Sequence, residues 1–226
     1  MLVRIEEVLN RSEVAEFRRV LEGLTWIDGK ATAGVQSAKA KHNLQVPEEA
    51  PEARDLGQTI LTRLGRNERF VSVALPLRVF PPLFNRYETG MAFKAHVDNA
   101  IRFAPGPIRV RTDISSTLFL SEPDEYDGGE LVIQDTYGEH RVKFAAGDMV
   151  LYPASSLHRV EPITRGSRWA SFFWAQSMVK DDGDRALLYQ LDQSIIAARA
   201  ALGDEHAAVL GLTATYHNLL RKWAEV

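Results

Sequence analysis

Three side chains carry most of the chemical content of this sequence. His96 and Asp98 stand two apart in "FKAHVDNA", and His158 follows much later in "SSLHRV". Residues two apart on a β-strand point to the same face, so His96 and Asp98 would grip one metal ion together. His158, from a distant strand, would add a second imidazole. Two imidazoles and one carboxylate on one side of an ion leave the opposite positions open, the donor set preferred by non-haem Fe(II). Arg168, ten positions after His158, supplies a fork-shaped cation suited to a carboxylate on that open side. Asn85 and Tyr87, in "FNRYETG", share a face of the preceding strand. Their amide and phenol are neutral partners for a bound carboxylate.

Taken one at a time these residues say little. An HxD pair in a β-rich chain usually binds nothing, and a strand-end histidine is usually solvated. Their order is what matters: a polar strand, an HxD, glycine-punctuated strands, a second histidine and then an arginine one hairpin later. The other histidines fit solvated or packing roles: His42 in a loop, His140 beside a turn, His206 and His217 on helices. The aromatic run Trp169, Phe172, Phe173 and Trp174 reads as core.

The elements that must position these side chains are legible in the periodicity. Residues 10–22 place Val14, Phe17, Val20 and Leu21 on one helical face, with Asn10 and Glu13 spaced as a capping box. Residues 28–43 read as a loop, and 51–64 as a second helix with Leu56, Ile60 and Leu64 in line. From about residue 69 the period changes. "RFVSVALPLRVF" reads as strand broken by Pro76, and short strands then recur between Gly, Pro and Asp turns, "YGEH" and "AAGD" reading as hairpins. After Ser177 two amphipathic helices follow. Leu187, Leu188, Leu191 and Ile195 form one stripe, Gly203 ends the first helix, and Asp204 is placed to cap the second. Val209, Leu212, Tyr216, Leu219 and Trp223 form the other stripe. The pattern alone supports a β-sandwich or barrel with helices.

Composition narrows the classes. The chain has 226 residues, 45% hydrophobic and 25% charged, with 27 Lys plus Arg against 30 Asp plus Glu. A net charge of -3 gives no global field toward nucleic acid or anionic membrane. With no cysteine, disulfides, thiolate catalysis and cysteine-bound metals are excluded. The N-terminal stretch lacks the apolar core of a secretory signal, and no apolar run approaches the ~20 residues that span a bilayer. The expectation is a cytoplasmic protein without a membrane partner. The stripes on the last two helices would suit a homodimer, though packing onto the β core accounts for them equally well.

The stretches "FNRYETGMAFKAHVDNAIR", "DGGELVI" and "LYPASSLHRVEPITRGSRWASFFWAQSMV", with the helical tail, resemble the bacterial PKHD-type hydroxylases. These are Fe(II)- and 2-oxoglutarate-dependent dioxygenases often associated with iron uptake. The resemblance covers nearly the whole chain. It implies an α+β fold with a double-stranded β-helix (jelly roll) over 78–178, flanked by an N-terminal helical and β region (1–77) and a C-terminal helical unit (179–226). It implies His96, Asp98 and His158 as iron ligands and Arg168 as the anchor for the far carboxylate of 2-oxoglutarate. Tyr87 and Asn85 would help hold that cosubstrate, and L-ascorbate would keep the iron ferrous. One departure stands out. Many relatives carry a hydroxyl residue two after the arginine, where this chain has Ala170. Arg165, with Ser167 two later, fits that pattern and competes with Arg168. The implied reaction uses O2 and hydroxylates a peptidyl residue, an amino acid or a siderophore-like metabolite. A non-catalytic module sensing iron or a 2-oxo acid is the rival reading, and simple metal sensing has no need of Arg168.

Overall fold

A computed structural model describes residues 1–32, 40–104 and 106–226. Its strands in chain order are β1 (Val3–Ile5), β2 (Ile27–Asp28), β3 (Lys41–His42), β4 (Leu44–Gln45), β5 (Pro76–Val79), β6 (Leu83–Glu88), β7 (Ala92–His96) and β8 (Ile101–Phe103). They continue as β9 (Arg109–Arg111), β10 (Ile114–Phe119), β11 (Tyr126–Gly128), β12 (Leu131–Asp135), β13 (Gly138–Val142), β14 (Met149–Pro153), β15 (Leu157–Val160) and β16 (Ile163–Ser177). The helices are α1 (Arg11–Glu22), α2 (Pro51–Gly65), α3 (Glu68–Ala74), α4 (Asp182–Leu202) and α5 (Ala207–Trp223).

Among the described residues the larger sheet runs β1-β14-β10-β16-β6-β4-β2, with β5 and β11 also paired to β16. The smaller sheet runs β13-β12-β15-β7-β3, and β8 pairs β9 as a separate ribbon. The ladders at the centre of both sheets are antiparallel.

Alternation along β16 sets the layering. Trp169, Phe173 and Ala175 turn to the helical side and join Val14, Phe17, Leu21, Leu56, Ile60 and Leu64 of α1 and α2 in the main core. Arg168, Phe172 and Trp174 turn the other way, toward the smaller sheet. A second core fills the space between the sheets with Phe119, Leu131, Ile133, Val150 and Ile163. Period-two alternation over two apolar faces is what a sheet covered on both sides demands. This is the α+β arrangement of facing sheets and packed helices expected from the sequence.

Several expectations need correction. Residues 69–74, expected as strand, belong to the helix Glu68–Ala74: the Asn67 side chain caps Phe70 N–H, and Phe70, Val73 and Ala74 bury one face. Leu75 then turns left-handed (φ 42°) before Pro76 opens β5. The cap and the i, i+3, i+4 burial outweigh the β preference of the valines. The stretch 28–43 carries β2, a 3-10 turn over Gly29–Thr32 and β3 rather than loop alone, while its residues 33–39 lie outside the described residues. The N-terminus also adds β1 to the edge of the larger sheet beside β14.

The capping box at α1 is present, with Asn10 and Glu13 satisfying each other's backbone N–H. "AAGD" is no hairpin: it carries the chain from β13 in the smaller sheet to β14 in the larger. There Gly147 (φ 95°) brings its backbone against the Leu9 carbonyl. The β12–β13 turn falls on Thr136 and Tyr137, so Gly138 and Glu139 already belong to a strand.

At the C-terminus, Gly203 ends α4 as expected, but His206 caps α5, and Asp204 pairs instead with Arg199. Leu187 is exposed, whereas Leu188 and Ile195 are buried. Tyr216, Leu219, Leu220 and Trp223 of α5 close over Leu75, Val179 and Leu188.

Candidate active site

Both imidazoles come from the smaller sheet. His158 lies on β15 and His96 is the last residue of β7, and the two are register partners across the β15–β7 ladder. The next pair is Val160 with Phe93, so β7 holds one extra residue between the pairs. Such a bulge turns residues three apart to the same face. Phe93 and His96 therefore both line the cavity and stack with ring centroids 3.6 Å apart. Asp98 lies just past the end of β7 rather than within it, yet still on the same side.

His96, Asp98 and His158 each present one donor atom, and these atoms lie within 4.8 Å of one another. Each imidazole is oriented by backbone. His96 Nδ1 lies 2.8 Å from the Lys94 carbonyl and His158 Nδ1 lies 3.0 Å from the Ser156 carbonyl. A carbonyl can only accept, so each Nδ1 carries the proton and each Nε2 keeps its lone pair free for a ligand. His158 Nε2 is 3.8 Å from Asp98 Oδ2. From the larger sheet, the Ser115 hydroxyl donates to the same Asp98 oxygen. Tyr152, on the neighbouring strand, is a phenol that burial, with Asp98 nearby, holds well above its usual range. Burial, with His158 alongside, lowers His96 to about 4. It is neutral at pH 7, the form that binds metal.

The larger sheet supplies the other wall. Arg168 stands opposite Tyr87 and Ala170 opposite Asn85 in the β16–β6 ladder. Arg168 is 1% exposed, with Tyr87 and Phe119 rings 5.5 and 5.3 Å from its guanidinium. Its Nε has no protein partner, and neither has the buried Asn85 Oδ1. Among the described residues no carboxylate pairs with this arginine. A buried unpaired guanidinium is costly, and a ligand carboxylate would satisfy it. Burial pushes the Tyr87 phenol to about 12, so it is a protonated donor at neutral pH.

The competing arginine lies elsewhere. Arg165 is 57% exposed and forks onto Asp127 at 2.7 and 3.1 Å. The remaining histidines also stay out of the cavity, His140 pairing with Asp135. The aromatic run divides: Trp169 belongs to the helical-side core, whereas Phe172 and Trp174 form part of the cavity wall.

Sequence reasoning missed Lys41, Arg102, Ser115 and Tyr152, all of which line this cavity. Lys41 sits in the stretch read as loop, and Arg102 follows the HxD in a segment with no period of its own. Ser115 and Tyr152 alternate inward on β10 and β14, a signal visible only once the strands' inner faces are known.

The donor set and the unpaired arginine fit Fe(II) together with a dicarboxylate. Two facing antiparallel sheets with such a donor cluster between them define the jelly-roll oxygenase class. The comparisons agree. Residues 82–176 match the model of the 2OG-Fe(II) oxygenase superfamily, and 182–225 that of the PKHD-type hydroxylase C-terminal domain. A PKHD-type hydroxylase of Gluconobacter oxydans is 67% identical over 100% of both chains. Among solved structures, a Pseudomonas putida prolyl-4-hydroxylase superposes with a TM-score of 0.51 at 21% identity, over 78% of this chain and 92% of its own. HygX from Streptomyces hygroscopicus, solved with nickel, 2-oxoglutarate and hygromycin B, gives 0.53 at 16% identity, over 79% and 84%. These distant likenesses show the jelly-roll fold.

The chain belongs to the PKHD-type hydroxylases, and it is a dioxygenase whose family uses Fe(II) and 2-oxoglutarate. No helix among the described residues is long and apolar enough to cross a membrane.

Proposed function

We propose that His96, Asp98 and His158 hold the Fe(II), and that Arg168 anchors the far carboxylate of 2-oxoglutarate while a substrate C–H bond is hydroxylated. The observation that carries this is a three-donor cluster beside a buried arginine lacking a carboxylate partner. When bound, iron and 2-oxoglutarate supply oxidative decarboxylation to succinate and carbon dioxide, coupled to O2. The chain's own groups do the rest. Two Nε2 atoms and one Asp98 oxygen bind on one side, and Ser115 fixes the carboxylate that faces them. Arg168 neutralises the cosubstrate, with the Tyr87 hydroxyl and the Asn85 amide as further partners. Phe93 and Phe172 line the cavity and keep water from the reacting centre.

The same reading divides the chain at 78–178 for the complete donor set, with 1–77 supplying outer strands and 179–226 a helical unit. It assigns L-ascorbate as the reductant that keeps the iron ferrous. It places the enzyme in the cytoplasm, in keeping with a chain that has no cysteine. The substrate is a peptidyl residue, an amino acid or a siderophore-like metabolite rather than nucleic acid, in line with a net charge of -3. Exposed Leu187 and Leu210 on α4 and α5 are compatible with a homodimer through those helices.

Anaerobic titration of the apo protein with Fe(II) and 2-oxoglutarate is the test. A visible metal-to-ligand charge-transfer band that needs both additions, and is lost in His96→Ala, is the expected result. Iron binding without the band would remove the cosubstrate site. No iron binding by a folded protein would remove the ligand set.

A further inference from the structure

We infer that the cavity has a second cationic pole, formed by Lys41 and Arg102, that binds a carboxylate on the substrate to be hydroxylated. This rests on the assignment of iron and 2-oxoglutarate above and extends it to the substrate's chemistry. Lys41 is 6% exposed, with its ammonium 5.6 Å from both the Phe93 and Phe172 rings. The Arg102 side chain is 16% exposed, its guanidinium 4.6 Å from Trp174 and 5.0 Å from Phe80. Lys41 donates to Gln45 Oε1, a neutral oxygen. Among the described residues the ion pair of Arg102 is with the partly exposed Glu48, at 3.7 Å, beyond a good hydrogen bond.

Geometry separates this pole from Arg168. Phe172 and Trp174 stand four and six residues beyond Arg168 on the same face of β16. At about 3.3 Å per residue that is roughly 13 and 20 Å along the strand. A five-carbon diacid held by Arg168 and reaching the triad leaves the cavity wall at Phe172 and Trp174 for a second ligand. Fe(II), Asp98 and doubly ionised 2-oxoglutarate leave one negative charge, which Arg168 balances, so the cosubstrate does not call on Lys41 and Arg102. Those two cations face Glu48, and Asp28 acts on Lys41 as well. Burial also draws Lys41 down to about 8, with Arg102 adding repulsion, and burial lowers Arg102 itself. A guanidinium fork and an ammonium among aromatic rings suit a planar monoanion on an apolar body.

The test uses hexanoate and hexanamide, which share a chain and differ in charge, titrated calorimetrically into the anaerobic enzyme loaded with Fe(II) and saturating 2-oxoglutarate. Hexanoate is expected to bind about tenfold tighter or better, as for a charge-assisted over a neutral contact. Further 2-oxoglutarate should not displace it. Arg102→Gln should abolish the preference and Arg102→Lys should keep most of it, with the charge-transfer band present in both as proof of a loaded, folded site. Equal binding of acid and amide, no binding of either, or displacement by 2-oxoglutarate would overturn the inference. The same titration on metal-free protein separates the two ideas. An Arg102-dependent preference there preserves the second pole even if the iron and 2-oxoglutarate assignment fails.

Discussion

Arg168 stands directly opposite Tyr87 in the β16–β6 ladder, with its guanidinium 5.5 Å from the phenol ring and almost no exposure to solvent. Neighbouring strands thus deliver a cation and a hydroxyl donor to one spot. Arg168→Gln should weaken 2-oxoglutarate by about 10- to 150-fold, the ~1.5–3 kcal/mol of a charged hydrogen-bonded contact. Tyr87→Phe should cost less, about 1 kcal/mol for one neutral donor. Titration of the charge-transfer band reads both, and Fe(II) affinity measured alone should stay near wild type. Loss of iron binding in Arg168→Gln would contradict a role confined to the cosubstrate.

Asp98 is the charged member of the donor set and is held by Ser115. Asp98→Ala should abolish tight Fe(II) binding. Ser115→Ala leaves the donors in place but frees the carboxylate to turn, and should reduce metal affinity by about 10- to 100-fold. Calorimetry with Fe(II) under anaerobic conditions checks this. An unchanged affinity in Ser115→Ala would mean that Asp98 is positioned by something else.

The metal-free protein should lose stability in mild acid. His96 is lowered to about 4 in the fold, against about 6.5 in an unfolded chain. Between those values the unfolded state binds the proton that the folded state refuses, so stability falls as pH drops through the window. The contribution is intact above pH 6.5. Urea melts of apo protein at pH 7 and pH 5 should separate more for wild type than for His96→Gln. Equal separations would mean that this imidazole titrates normally.

Gly147 adopts φ 95°, and a Cβ there would meet the Leu9 carbonyl oxygen at 2.1 Å. Both the backbone conformation and the close approach oppose any side chain. Gly147→Ala should therefore destabilise the fold by roughly 2 kcal/mol or more, because strain and steric clash add. Gly211→Ala, where nothing stands within 4 Å, is the matched control in α5 and should be neutral or slightly stabilising. Thermal melts decide between them.

Local chemistry in the sequence was enough to determine α1 with its capping box, α2, the C-terminal helices, the strand-rich middle and the order His96, Asp98, His158, Arg168. Period, caps and glycines are short-range signals, readable without knowing what the chain packs against. Three things waited for tertiary structure. The helix at 68–74 depends on burying Phe70, Val73 and Ala74 beneath the larger sheet, which overrides the strand preference of its valines. Where Arg165 and Arg168 lie depends on which face of a bulged, fifteen-residue strand each occupies. Asp127 holds the first outside, while the second turns inward beside Tyr87. Ser115, Tyr152, Lys41 and Arg102 come from four separate strands or strand ends. Only the folding of two sheets over one cavity brings them to the histidines, because contacts between strands distant in sequence leave no local pattern along the chain.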